Sequence, residues 1–179
     1  MLESSMSAQV ISLFEELGIC ESKIAHRRLP LQPEASELIE VFEDKRAHQL
    51  SHKAATAWDA MKDAAGEAGV SLRLVSAFRS VAYQGELIRR KLNRGEKIES
   101  ILRVNAAPGY SEHHTGNAVD VTVNDGPQLT EEFEETQAFR WLTTHASCYG
   151  FRLSYPRDNP YGYKYEPWHW CFNPNLSGR

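Results

Sequence analysis

Apolar positions change their spacing several times along the chain, and each change marks an element. In SAQVISLFEELG, Val10, Leu13, Phe14 and Leu17 recur at helical spacing between Ser7, an N-cap residue, and Gly18, a stop signal. RRLPLQPEAS breaks that pattern, because its prolines enforce extended chain between helices. The helical period returns in HKAATAWDAMKDAAGEAG, with Ala54, Ala57, Trp58, Met61 and Ala65 on one face and Gly69 as the stop. SLRLVSAF then alternates as a strand does, Leu72, Leu74 and Ser76 against Arg73, Val75 and Ala77. Ser80 caps a further helix from Val81 to about Arg94, ended by Gly95.

After a loop, APGYSEHHTG, the stretch NAVDVTV alternates cleanly. Val119, Val121 and Val123 face one way, and Ala118, Asp120 and Thr122 the other. NDGPQ reads as a turn. A helix starting between Glu131 and Thr136 and reaching Tyr149 would carry Ala138, Leu142, His145 and Tyr149 on one stripe, with Gly150 beyond its end. Strands are expected at 151–155 (FRLSY) and 164–172 (KYEPWHWCF). Strand–helix–strand crossovers are too few for a doubly wound parallel sheet. The expected class is α+β, a small and mostly antiparallel sheet flanked by helices. Residues 1–50 form a helical N-terminal extension packed on a domain of residues 51–179.

Length and composition agree with one domain: 179 residues, 41% of them hydrophobic and 25% charged. Lys plus Arg number 20 against 24 Asp plus Glu, a net charge of -4, so the cation surplus that phosphate binding needs is absent and nucleic acid is not an expected partner. No stretch approaches the roughly 20 apolar residues of a membrane span. The N-terminus lacks a basic region ahead of an unbroken apolar run, so the chain as it stands reads as cytoplasmic, or as periplasmic if a leader has been removed. The cysteines, Cys20, Cys148 and Cys171, are odd in number and form no CxxC pair; each is expected to be a plain buried thiol. Oligomeric state is not legible.

The chemistry lies in the histidines. His26, His48 and His52 stand in polar contexts and read as solvated, and His145, on an apolar stripe, as a satisfied core residue. That leaves His113, His114 and His169. A catalytic zinc takes three N or O donors and keeps a fourth position open, and His113, Asp120 and His169 would supply those donors. An odd offset of seven would put His113 and Asp120 on opposite faces of a continuous strand, but the chain can turn at Thr115–Gly116. Glu166, three residues ahead of His169, stands where a general base would be. There is no HExxH helix. A bland alternative stays open for each residue by itself: Asp120 as a strand-edge charge, His113 as a turn residue, EPWHW as an aromatic packing cluster.

SEHHTGNAVD fits Ser-x-His-x-x-Gly-x-Ala-x-Asp, and EPWH fits Glu-x-Trp-His. Both resemble the zinc peptidases grouped with D-alanyl-D-alanine carboxypeptidases, lysostaphin-like enzymes and the hedgehog signalling domain, with the VanY-like D-alanyl-D-alanine carboxypeptidases most similar. SAFRSVAYQ resembles that family's Ser-Gly-Tyr-Arg-Ser-x-x-x-Gln, Ala77 and Phe78 departing from it, and YGFRLSYP extends the likeness, which covers about residues 50 to 172. The resemblance implies zinc on His113, Asp120 and His169, Glu166 as catalytic base, and Arg79 at the scissile carbonyl or the substrate carboxylate. Gln84 and Ser111 would hold the peptide's C-terminal carboxylate, and Trp168 would wall the cleft. His114 has no role in the pattern and would sit behind the ligands or in solvent.

The implied activity is release of the C-terminal D-Ala from peptidoglycan stem peptides or muropeptides. A cytoplasmic L,D-carboxypeptidase trimming tetrapeptides is the alternative, followed by an endopeptidase or a non-catalytic zinc-binding module.

Overall fold

The computed structural model describes residues 6–176. Its first helix, α1 (Ala8–Leu17), is capped by Ser7, whose side chain accepts from the Val10 amide, and ends at Gly18 in the left-handed region. Its apolar face, Val10, Phe14 and Leu17, packs into a cluster with Val81, Ile88 and Ile101, the residues that α4 (Val81–Asn93) and α5 (Ile98–Ile101) turn inward. A single turn, α2 (Ser22–Ala25), leads into extended chain, as the prolines require.

Residues 39–50 correct the expectation of a wholly helical extension. They form an antiparallel hairpin of β1 (Ile39–Glu43) and β2 (Arg46–Leu50). Asp44 and Lys45 both take positive φ, 46° and 66°, the backbone that a two-residue hairpin turn demands. Val41 and Glu43 face inward, Glu43 pairing with Lys62 at 2.6 Å. The hairpin thereby packs against the helix that carries Lys62.

The main sheet has four strands in the order β3-β4-β6-β5, all neighbours antiparallel: β3 (Arg73–Ser76), β4 (Ala118–Thr122), β5 (Phe151–Leu153) and β6 (His169–Phe172). Both C-terminal strands are shorter than the sequence suggests. Pro167 keeps residues before it out of the ladder, and residues 154–168 loop over the sheet. One face of the sheet is the core. Val119, Val121, Phe151 and Trp170 there meet Trp58 and Met61 of α3 (His52–Glu67) and Leu142 of α6 (Gln137–His145).

The other face carries polar residues in one row. Asp120 lies opposite His169 on β6 and opposite Ser76 on β3. The alternation of SLRLVSAF places Ser76 with Leu74 on the core side, but a register shift between these two residues reverses this. Leu74 stays in the core while Ser76 joins the polar row, the effect of a single extra residue in one strand.

The predicted helix up to Tyr149 is broken into a 3-10 turn (Glu131–Glu135), α6 and a second 3-10 turn (Ala146–Tyr149). The change of pitch puts Ala146 rather than His145 inward, so His145 is exposed and stacks on Trp141 at 4.7 Å. Among the cysteines only Cys171 is buried. Cys20 and Cys148 are exposed, contrary to the expectation for free thiols: Cys20 lies in the connection between α1 and α2, and Cys148 on the outer side of the 3-10 turn Ala146–Tyr149.

Candidate metal centre

SEHHTG folds as a 3-10 turn, Glu112–Thr115, closed by Gly116 at φ +68°. The turn brings His113 over β4 although the strand begins only at Ala118. A Cβ at Gly116 would stand 2.6 Å from Leu38 Cδ2 and 2.9 Å from the Ser51 amide nitrogen, which donates to the Gly116 carbonyl. Gly116→Ala is expected to destabilise the protein by about 1–3 kcal/mol, read as a lower urea midpoint. An unchanged midpoint would mean that the turn relaxes freely.

His113, Asp120 and His169 converge, with one donor atom of each lying within 4.8 Å of the others. All three are 3% exposed. His113 Nδ1 is bonded to the Ala77 carbonyl at 2.6 Å, which turns Nε2 toward Asp120 Oδ2 at 3.2 Å. His169 Nδ1 lies 3.0 Å from Asp120 Oδ1. Donors bound to one zinc at about 2.0–2.2 Å and tetrahedral angles stand about 3.3–3.6 Å apart, close to the two contacts at Asp120, 3.2 and 3.0 Å. Two imidazoles and one carboxylate also match a site with three protein donors and an open fourth position. The residues present fit zinc.

Charge is arranged around this cluster. Burial would raise the Asp120 carboxyl, but the charges and hydrogen bonds of His113 and His169 hold it well below the usual carboxylate range. Burial and the nearby Arg79 push His113 down to about 4. Burial also opposes a proton on His169, yet Asp120 and Glu112 together raise it to about 10. Glu166 stands at the edge of the cluster, its Oε2 4.0 Å from His169 Nδ1. Burial foremost, with Asp120 and Glu112 adding repulsion against His169 and Arg79, pushes Glu166 up to about 7.

A cavity of about 670 Å³ opens on the cluster, walled by Arg79, Ser111, Tyr155, Tyr163, Glu166 and Trp168. This volume suits a small-molecule or peptide-terminus ligand. Arg79 Nη2 donates to Asp120 and to Ser76, each at 3.3 Å, and Nη1 donates to Gln84 Oε1 at 3.1 Å.

Gln84 departs from the sequence expectation. It is fully buried behind Arg79, does not line the cavity, and donates to the Ala106 carbonyl at 2.8 Å. His114 is also fully buried, with Nδ1–H directed to the Arg79 carbonyl at 2.6 Å and Nε2 accepting from the Gly109 amide at 3.1 Å. Its place is behind the site, clamping the loop to the backbone of Arg79. The residue that sequence reasoning missed is Glu112, whose Oε2 lies 3.0 Å from His169 Nε2. Its position next to His113 was the available signal, but its contact is made 57 residues away.

With fold and site in view, the family model for the VanY D-alanyl-D-alanine carboxypeptidases matches residues 47–175, and the chain belongs to that family. YodJ of Bacillus subtilis (strain 168) is 35% identical over 133 residues, which are 72% of this chain and 48% of YodJ. The chain thus spans about half the length of that relative. The LdcB LD-carboxypeptidase structure superimposes with a TM-score of 0.68 at 33% identity, over 80% of this chain and 71% of LdcB. The D,D-pentapeptidase VanY of a VanB-type resistance cassette, solved as a variant in complex with Zn(II), gives 0.64 at 26% identity, over 82% of this chain and 87% of that one. Both confirm the α+β class.

Proposed function

We propose that the protein is a zinc-dependent carboxypeptidase that removes the C-terminal D-Ala from peptidoglycan stem peptides. The observation that carries this reading is the convergence of His113, Asp120 and His169, with Glu166 and Arg79 beside them, at the floor of one cavity. The Zn(II) complex of the related VanY supports the choice of metal.

Zinc held by His113, Asp120 and His169 would lower the pKa of a water to about 7 and polarise the scissile carbonyl. Glu166 takes the proton of the attacking water on its carboxylate and passes it to the departing amine. A bound dication beside Glu166 favours its ionised form, the one able to accept a proton. Arg79, already oriented by Gln84, Ser76 and Asp120, directs N–H groups at the carbonyl oxygen as negative charge develops, or at the substrate carboxylate. Ser111, 5% exposed and on the cavity wall, offers a hydroxyl to that carboxylate, and Trp168 forms an apolar side of the cleft.

A second reading, L,D-carboxypeptidase action on tetrapeptides, is favoured by the LdcB likeness. Purified stem pentapeptide, tetrapeptide and C-terminally amidated pentapeptide distinguish these readings by mass spectrometry. Loss of one alanine from the pentapeptide, with the amide resistant, is the expected result. Loss from the tetrapeptide alone selects the second reading. Cleavage at an internal bond that tolerates the amide would make the protein an endopeptidase, and no cleavage with zinc bound would make it a binding module. Among the described residues no helix is long and apolar enough to cross a membrane.

A further inference from the structure

We propose that Glu112 is a positioning residue that selects the nitrogen through which His169 meets the metal, an inference that rests on the zinc reading above. An imidazole can ligate through either nitrogen, and the partner of one decides the availability of the other. His169 has a carboxylate at each: Asp120 Oδ1 at 3.0 Å from Nδ1 and Glu112 Oε2 at 3.0 Å from Nε2. The two sides are not equivalent. Asp120 also reaches His113 Nε2 at 3.2 Å, so its side is where the donors gather. Glu112 lies outside the group of three donors and faces the opposite edge of the ring.

The remaining contacts of Glu112 suit an anchor. Oε1 accepts from Arg152 Nη2 at 2.9 Å, and Oε2 also accepts from the Ser154 hydroxyl. Both partners belong to β5 or its immediate continuation, so the carboxylate is tied to the sheet on the far side of β6. Tyr155 tilts against the His169 ring at 4.8 Å between centroids and limits its rotation. A neutral imidazole carries one proton. Glu112 holds it on Nε2, which leaves the Nδ1 lone pair directed at the ion and makes that nitrogen a stronger donor. One 3-10 turn thereby contributes His113 and, from the adjacent residue, the orienting group of the other imidazole. His113 is fixed in the opposite sense, with its Nδ1 on the Ala77 carbonyl and Nε2 free to ligate.

Zinc affinity, measured by competition with a chromophoric chelator, tests this on the full chain. Removing such a partner typically weakens metal binding about 10- to 100-fold. Glu112→Gln, which keeps an acceptor but not the charge, is expected near the lower figure and Glu112→Ala near the upper. Thermal unfolding of the metal-free proteins separates this role from a structural one. A lower midpoint with unchanged zinc affinity would overturn the proposal, and if Glu112→Ala does not fold, unchanged affinity in Glu112→Gln does so alone. Failure of the unsubstituted protein to bind zinc would instead refute the metal centre itself, an outcome readily told apart.

Discussion

Glu166→Gln is expected to lower kcat by about 10²- to 10⁴-fold, the usual contribution of a positioned general base, while zinc content stays at the level of the unsubstituted protein. The two halves of this result come from different features. Glu166 is not one of the three clustered donors, so an amide in its place leaves the metal ligands intact. An amide cannot accept the proton of the attacking water, however, and the other carboxylates that stand beside the cluster are already engaged. Asp120 is engaged by both histidines and Arg79, and Glu112 by His169, Arg152 and Ser154. The fold should survive, because removal of a buried charge is favourable when the replacement keeps the same shape. Steady-state hydrolysis of a stem peptide, paired with metal analysis of the same preparation, checks both halves. Full turnover in the variant would remove Glu166 from the base role.

His169→Ala should instead lose zinc and activity together, since two donors seldom hold zinc in a protein site. It should also cost stability. The imidazole stands 3.0 Å from the buried Asp120 and 3.0 Å from the half-buried Glu112, and its removal leaves both without that partner, a loss of about 3–5 kcal/mol where a buried pair is broken. Metal analysis and the denaturation midpoint of the metal-free protein read these effects separately. Zinc at full occupancy in this variant would exclude His169 as a ligand, whatever its effect on stability.

How much of this was legible in the sequence depends on how local each signal is. The helices at His52–Glu67 and Val81–Asn93 and the strand at Ala118–Thr122 announce themselves through periodicity and flanking caps, and the structure places them within a residue or two of expectation. The convergence of His113, Asp120 and His169 was legible because two lie in one short motif and the third beside a Trp and a Glu. The misses share a different cause. Residues 39–50 became a hairpin because Asp44 and Lys45 adopt a left-handed turn that no glycine advertises. Ser76 reached the site through a bulge, and alternation carries no information about an extra residue. The Glu112–His169 contact depends on β6 pairing with β4 so that the 3-10 turn overhangs it, a tertiary fact without a local trace. Gln84 was expected on the substrate and instead braces Arg79, because helix α4 turns that position inward.

Metal content of the purified chain, followed by chelation and reconstitution, tests the central claim most directly. One zinc per chain is expected, with hydrolysis of the stem peptide abolished by its removal and restored by stoichiometric zinc. A metal-free preparation that still releases D-Ala at the original rate would contradict the account.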